Sequence, residues 1–328
     1  MCDAKHEQIN DSPMCNTIVT IGDINYLWGL FLLIASARKA GMKEPFLVGV
    51  RAFTSAAEQV LTQLGNVTVV SLDGTPRSLT CLKSQVMLQV KTEYVTWADS
   101  DAFFTGNVSD ILLPSSPEKI HFRLRSPAEL PMSYKELFKG EDGFRIPKEV
   151  LDVWRQDVTC IAGEAREEPR YSLTGSACFC SFSIARFRRV LEVWDALQKK
   201  VLPEHDVGVV DRSLLYYHQL DESTLNACLN FVKDAPIVQE VFRMDKERER
   251  LFVHFIAQPK PWQGWTKRAF RFFDDYVSIV EWASAQGLKL PSGIPSCLKA
   301  ANKWWLRLLI PWMTLKPKLA KRLKRWFR

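Results

Sequence analysis

The fold is decided by the stretch from residue 17 to residue 41, which reads TIVTIGDINYLWGLFLLIASARKAG. Its first five residues, Thr17 to Ile21, are all β-branched and predict a buried strand. A Gly-Asp pair ends that strand, and the apolar run from Leu27 to Ala40 predicts a helix that stops at Gly41. A strand followed directly by a long helix is typical of a parallel β-α-β arrangement.

The same alternation continues along the chain. Further strands are predicted at Phe46–Val50, Val67–Ser71 and Tyr94–Ala98, with helices at Ser55–Leu64 and Ser78–Gln89 between them. This order predicts an α/β fold of Rossmann type, with a mainly parallel sheet and helices on both faces. Because ligands of such sheets bind beyond the carboxyl ends of the strands, the polar segments Gly22–Tyr26 and Asp99–Asp101 are the first candidates for a site.

The second half of the chain is less regular. Residues 113–170 are rich in proline and charge, and they predict a loop-rich, variable region that acts as a lid or binds an acceptor. Beyond it we predict strands at Ala177–Phe182 and Leu251–Phe255 and helices at Ile184–Lys199 and Glu222–Val232. We expect one domain over residues 17–290, a flexible N-terminus over 1–16 and C-terminal helices over 291–328.

Composition excludes several classes of protein. The 328 residues are 47% hydrophobic and 25% charged, which is not the composition of a disordered chain, a collagen or a coiled coil. The net charge of +7 belongs to the C-terminus, since residues 301–328 hold nine of the 44 basic residues and no acidic one. The rest of the chain is near neutral, so we expect no nucleic-acid partner.

Targeting signals and cysteines suggest where the protein lies. We expect no secretory signal, because the first fifteen residues are polar, and no membrane span, because the apolar stretch Ile24–Ala37 is shorter than the roughly 20 residues required. Eight scattered cysteines fit free thiols in a reducing compartment. These features predict a cytoplasmic protein.

Two aspartates carry the sharpest chemical signal. Asp99 and Asp101 follow an apolar strand, with Ser100 between them. Two like charges repel, and partial burial raises the energy of each, whereas a divalent cation offsets both effects. We interpret the segment as a Mg²⁺ or Mn²⁺ site that also grips a diphosphate. A pair of solvated carboxylates in a turn is the plain alternative.

The order of four motifs resembles that of GT-A-type nucleotide-sugar transferases, most closely glycosyltransferase family eight. The matching segments are Gly22-Asp23-Ile24-Asn25-Tyr26, Asp99-Ser100-Asp101, Asp221-Glu222-Ser223-Thr224-Leu225-Asn226 and His254-Phe255-Ile256-Ala257-Gln258-Pro259-Lys260-Pro261-Trp262. Together they cover roughly residues 17–265. The resemblance implies a GT-A fold, a UDP-sugar donor and a Mn²⁺ or Mg²⁺ cofactor.

The resemblance also implies a role for single residues. His254 would be the third metal ligand, while Lys260 and the segment at Ala257 would contact the diphosphate. The base and ribose would be bound by residues at the end of the first strand: Gly22, Asp23, Asn25 and Tyr26. Lys83 would lie near the nucleotide, and Gly175 would lie near the sugar. A core histidine, two surface lysines and a helix cap at Asn25 remain the plain alternatives.

The sugar site is where this chain departs from the family pattern. Leu173-Thr174-Gly175 stands where the family commonly has Asn-Ala-Gly, Glu222 replaces a Gln and Ala257 replaces a Gly. A carboxylate beneath the anomeric carbon can act as a nucleophile or stabilise an oxocarbenium-like centre, so Glu222 and Asp221 are candidate catalytic residues. Ordinary helix N-terminal chemistry, with Asp221 as the cap, is the alternative.

The C-terminal residues 301–328 predict membrane attachment. Four tryptophans accompany the nine basic residues. From Lys318 onward the apolar residues fall on one helical face, and basic residues fill the remainder; the apolar ones are Leu319, Leu323, Trp326 and Phe327. A basic amphipathic helix with tryptophan is typical of proteins that bind anionic membranes. A nucleic-acid arm and a helix packed on the body are the alternatives.

These observations predict a metal-dependent glycosyltransferase, and the resemblance implies that it is a retaining one. It would move a hexose of the galactose or glucose class from a UDP-sugar to a lipid-linked, lipopolysaccharide or capsule-type acceptor at the inner face of a bacterial membrane. One alternative is a catalytically inactive transferase fold that serves as a membrane-bound scaffold. Another is a phosphatase of the haloacid dehalogenase type, although that family places its Asp-x-Asp near the start of the chain.

Overall fold

A computed structural model describes residues 15–125, 134, 138, 145–239, 251–255 and 258–311. The strands within them are β1 (Asn16–Asp23), β2 (Phe46–Arg51), β3 (Val67–Ser71), β4 (Tyr94–Ala98), β5 (Ala102–Phe104), β6 (Lys119–Leu124), β7 (Gly175–Ser183), β8 (Ile237–Gln239) and β9 (Phe252–His254). The helices are α1 (Leu27–Lys39), α2 (Ser55–Thr62), α3 (Lys83–Met87), α4 (Ser109–Leu112), α5 (Lys148–Ala162), α6 (Ile184–Val201), α7 (Asp221–Phe231) and α8 (Phe273–Ala285). Residues 303–311 are also helical.

Seven of these strands form one sheet, in the order β3-β2-β1-β4-β7-β6-β8. The pairs β1–β2, β2–β3, β1–β4 and β6–β8 are parallel, and β7 runs antiparallel to both of its neighbours. The predicted α/β fold with a mainly parallel sheet is therefore confirmed. The four parallel strands that the sequence predicted first form one half of the sheet.

Helices cover both faces of the sheet, because successive residues of a buried strand point to opposite sides. In β1, Ile18 packs into a core with α1 and α8, whereas Val19 packs into a second core with α3, α5, α6 and α7. Every residue of α1 from Leu27 to Ala37 is buried. A helix that is apolar on all sides needs such a position.

The region 113–170 differs from its predicted loop-rich character. Residues Lys119–Leu124 form a strand inside the sheet, and Lys148–Ala162 form a helix that packs into the second core through Val150, Trp154 and Val158. The strand alternates apolar residues with lysine, histidine and arginine, and its short length hid that pattern among the prolines and charges around it. Its role as a lid or an acceptor site stays a prediction.

Other differences are smaller. The helix predicted over 78–89 divides into a 3₁₀ turn at Leu79–Leu82 and the short helix α3. The strand β8 and the helix α8 were not predicted. The N-terminus before residue 15 and the amphipathic helix predicted from Lys318 lie outside the described residues.

Candidate active site

A second, two-stranded sheet assembles the predicted metal ligands. After β4 the chain turns through Asp99 and Asp101 and enters β5, and the Ala102 amide donates to the Asp99 carbonyl at 3.1 Å. β5 pairs antiparallel with β9, and this register sets His254 opposite Ala102. Phe255 N–H then donates to the Asp101 carbonyl at 3.1 Å. The backbone therefore places the imidazole beside both aspartates.

The three side chains meet at short distances. His254 Nε2 lies 3.0 Å from Asp101 Oδ1 and 3.4 Å from Asp99 Oδ2. One ligand atom from each residue lies within 4.8 Å of the other two. Two carboxylates and an imidazole are a donor set that suits Mn²⁺ or Mg²⁺, so the residues present fit the implied cation.

Local electrostatics favour opposite charges on these groups. Burial disfavours the charged forms, but the Asp101 carboxylate raises the pKa of His254 well above its usual 6.5. Against the same effect of burial, His254 and Lys260 hold the pKa of Asp101 well below its usual 3.8. The Asp101 carboxylate is thus ionised and balanced by the cations beside it.

Lys83 is a buried part of the site, so the surface-lysine alternative is wrong. Its side chain is 5% exposed, and its ammonium donates to Asp99 Oδ1 at 3.0 Å and to the Ala177 carbonyl at 3.1 Å. It also pairs with Asp221 Oδ2 at 2.9 Å and lies 4.8 Å from the ring centroid of Trp97. This lysine therefore links the segment after β4 to the start of α7.

Asp221 does not act as a helix cap. Leu220 occupies the N-cap position, and the Asp221 carboxylate faces Lys83 instead. Burial raises the pKa of Asp221 to about 6, Lys83 opposes that rise, and the negative charges of Asp99 and Glu222 add to it. Asp221 is thus a buried carboxylate that titrates near neutral pH.

Lys260 is a second buried lysine of the site, and it contacts Asp101. It is 4% exposed, and its ammonium donates to Asp101 Oδ2 and, at 2.6 Å, to the Phe255 carbonyl. Trp262, two residues later, contacts the Tyr26 ring edge-on at 5.7 Å between centroids. The surface-lysine alternative is wrong here as well. Ala257, the remaining predicted phosphate contact, lies outside the described residues.

A cleft of about 230 Å³ is lined in part by two of the predicted metal ligands, Asp99 and Asp101. Its lining includes six of the predicted residues: Gly22, Tyr26, Lys83, Asp99, Ser100 and Asp101. Three residues of the loop after α6 also line it: Asp206, Gly208 and Val209. Ser78 Oγ donates to Asp206 Oδ1 at 2.8 Å and so ties that loop to the cleft. The loop carries no motif, and the sequence analysis missed it.

Two predicted nucleotide contacts are not among the lining residues. Asp23 accepts hydrogen bonds from the backbone amides of Asn25 and Tyr26, at 2.9 and 3.2 Å, and caps the 3₁₀ turn Ile24–Tyr26. Asn25 is exposed and caps no helix, so the capping alternative for Asn25 is wrong. The turn sets Tyr26 into the cleft wall.

Gly175 is not brought to the cleft lining. A Cβ atom at this position would lie 1.8 Å from the Phe122 ring, so close packing against β6 requires a glycine there. Asn226 holds the Gly175 backbone, because its side chain accepts from the Gly175 amide at 2.6 Å and donates to the Gly175 carbonyl at 3.0 Å.

Glu222, next to Asp221 at the start of α7, pairs with Arg125. The sequence analysis missed Arg125. Arg125 follows β6, and no motif marks it because its partner lies almost a hundred positions later.

Comparison with known proteins identifies the fold. No protein-family model matches the chain, and no curated protein matches it. The bifunctional glycosyltransferase WbbM aligns over 88% of this chain with a TM-score of 0.54 and 13% identity. The alignment covers 51% of WbbM, so this chain spans about half the length of that protein.

Two further solved structures are similar at lower scores. The glycosyltransferase GlyE of Streptococcus pneumoniae TIGR4 has a TM-score of 0.49 and 15% identity over 84% of this chain and 65% of its own. The galactosyltransferase LgtC, in complex with donor and acceptor sugar analogs, has a TM-score of 0.48 and 12% identity over 82% and 95%. The fold assignment rests on WbbM, and it confirms the GT-A fold that the motifs implied.

Proposed function

We propose that this protein is a metal-dependent, retaining glycosyltransferase. It moves a hexose of the galactose or glucose class from a UDP-sugar to a lipid-linked, lipopolysaccharide or capsule-type glycan. The observation that carries the proposal is the meeting of Asp99, Asp101 and His254 beside a cleft, on a fold shared with a glycosyltransferase.

Each part of the site has a task in this reaction. Asp99, Asp101 and His254 would hold Mn²⁺ or Mg²⁺, which when bound supplies charge stabilisation for the diphosphate. Lys260 donates hydrogen bonds to the diphosphate oxygens as they gain charge. Tyr26 and its turn bind the nucleoside, while Asp221 and Glu222 face the sugar.

A donor panel tests the proposal. Hydrolysis of nucleotide sugars without acceptor is measured with and without Mn²⁺, for the wild type and Asp101→Asn. We expect Mn²⁺-dependent release of UDP from one hexose donor and its loss in the variant. Binding of UDP and Mn²⁺ without turnover of any donor would favour the inactive scaffold, and release of phosphate from simple monoesters would favour a phosphatase.

We also propose that residues 301–328 attach the enzyme to the inner face of the cell membrane, where a lipid-linked acceptor lies. Within the described residues, none of the helices combines the length and apolar character of a bilayer span. In the helix 303–311, Leu306 and Ile310 are buried, whereas Trp304 and Trp305 are 63% and 62% exposed. Interfacial tryptophans beside basic residues suit an anionic lipid surface.

Sedimentation with vesicles of phosphatidylethanolamine and phosphatidylglycerol tests this attachment. The variant Trp304→Gln/Trp305→Gln should reduce the bound fraction about fivefold or more, because two exposed aromatic rings no longer enter the interface. Ile111→Gln alters an apolar side chain that is 44% exposed elsewhere and is the matched control. Equal binding of both variants would contradict the attachment through residues 301–328.

A further inference from the structure

Arg125 and Glu222 form a bidentate ion pair at the start of α7, next to Asp221. Arg125 Nη1 contacts Glu222 Oε1, and Nη2 donates to Oε2 at 2.9 Å. Only 16% and 14% of the two side chains is exposed. The Ala177 amide adds a third hydrogen bond to Glu222 Oε2 at 3.3 Å. Both carboxylate oxygens are therefore engaged.

An irregularity in β7 creates this arrangement. Phe122 pairs with Cys180, but the next residue, Arg123, pairs with Ser176. Residues 177–179 therefore have no ladder partner on β6, which leaves the Ala177 amide to donate to Glu222. Beyond the irregularity, the Arg125 amide donates to the Thr174 carbonyl at 2.8 Å. This bond fixes the Arg125 backbone beside Thr174, the residue that precedes β7.

Each carboxylate at the start of α7 has a basic partner. Asp221 is balanced by Lys83, and its neighbour Glu222 is balanced by Arg125. A carboxylate with both oxygens hydrogen-bonded and its charge compensated is a poor nucleophile but a well-oriented acceptor for a hydroxyl group. The pair as a whole is neutral, as is the hydroxyl-bearing ring of a hexose.

We propose that Arg125 is a positioning residue and that Arg125 and Glu222 act as one neutral unit that orients the donor sugar. This inference rests on the proposed glycosyltransferase function. It deepens that function by assigning hydrogen bonding and orientation to Glu222, in place of nucleophilic attack. Arg125 acts through Glu222, whose carboxylate it fixes.

A double-variant series of the full chain tests the unit. Steady-state kcat and donor KM are measured for Glu222→Gln, Arg125→Met and Arg125→Met/Glu222→Gln, with the donor that the wild type uses. Each single variant should lower kcat about 100-fold, since it leaves one buried charge without its partner, while donor KM changes less than about threefold. The double variant should recover at least about tenfold over Glu222→Gln, because neutrality returns.

Two outcomes overturn the proposal. One is a double variant no more active than Glu222→Gln, including a case in which its melting temperature recovers but kcat does not. The other is full activity of Glu222→Gln. Arg125→Lys, which keeps the charge and loses the bidentate geometry, provides a second test if Arg125→Met does not fold, and we expect kcat about tenfold below wild type.

The matched control is the exposed pair of Arg186 and Glu118, whose side chains are 55% and 51% exposed. Arg186→Met/Glu118→Gln should keep wild-type kinetics. If the wild type turns over no donor, the proposed function fails and this inference falls with it. If the wild type is active and the double variant shows no rescue, only the role of the pair is overturned.

Discussion

The two buried lysines of the site hold its two aspartates in different ways. Lys83 and Lys260 are each 4% exposed, and each donates to one aspartate and one backbone carbonyl. Lys83 also binds a second carboxylate, Asp221, whereas the bonds described for Lys260 include no second carboxylate. A lysine between two carboxylates is fixed, while one with a single carboxylate is able to change partners.

The comparison separates a structural region from a reactive one. Lys83 lies on α3 and ties the sheet to α7, so its charge is committed within the fold. Lys260 lies in the loop after β9 and pairs with Asp101. In the proposed reaction, a cation bound to Asp101 would free Lys260 to bind the diphosphate.

Asp101→Asn removes the partner of Lys260 and a cation ligand at once. We expect Mn²⁺-dependent donor hydrolysis to fall on the order of 10⁴-fold, because charge stabilisation by the cation is worth several kcal/mol. Initial rates over a Mn²⁺ titration measure the loss. Asp274→Asn, at an exposed aspartate that pairs with Lys303, is the control and should keep full activity. An active Asp101→Asn enzyme would contradict the proposed cation site.

Lys83→Met should mainly damage stability. Removal of one partner from a buried ion pair leaves Asp221 and Asp99 without their cation and lowers the free energy of unfolding by about 3–5 kcal/mol. Urea denaturation measures this change. Lys233→Met breaks an exposed pair with Glu164 and should change stability by less than about 1 kcal/mol. Equal effects of the two variants would remove the structural role of Lys83.

Lys260→Met should mainly damage turnover. Loss of one charged donor to the leaving diphosphate should lower kcat about 100-fold. His254 still contacts Asp101, so we expect a smaller loss of unfolding free energy than for Lys83→Met. Parallel kinetics and urea titrations of both variants measure the contrast. A Lys260 variant that loses stability but not turnover would reverse the comparison.

The pH dependence of kcat tests Asp221, the second carboxylate that Lys83 binds. Burial raises the pKa of Asp221 to about 6, so this carboxylate gains a proton as the pH falls below that value and its ion pair with Lys83 is lost. We expect kcat to fall about tenfold from pH 7 to pH 5. Asp221→Asn should remove this acidic limb, whereas Glu204→Gln, at a carboxylate that is 87% exposed, should keep it.

The sequence predicted the parallel half of the sheet well. Strands β1 to β4 lie within two residues of their predicted bounds, because uninterrupted apolar runs bounded by polar turns determine them locally. The structure also brings together the three predicted metal ligands, Asp99, Asp101 and His254. The order of the four motifs indicated these three residues, whereas no single strand or helix would have done so.

What the sequence could not supply was the partner of each charge. A lysine in a short helix reads as solvent-exposed, and only the tertiary fold places Lys83 between two carboxylates. Arg125 and Glu222 meet through an irregularity in β7, which depends on pairing with β6. Gly175 was predicted to lie near the donor sugar. The structure shows instead that a side chain at this position would collide with the Phe122 ring.

The pairing of Ala102–Phe104 with Phe252–His254 has a consequence for biosynthesis. At about 5–20 residues per second, a ribosome needs roughly 8–30 s to extend the chain from Asp101 to His254. During that interval the nascent polypeptide carries the two aspartates of the proposed cation site and lacks His254. Cation binding by the full proposed set would therefore require synthesis past residue 254, and a prematurely released fragment would lack the imidazole.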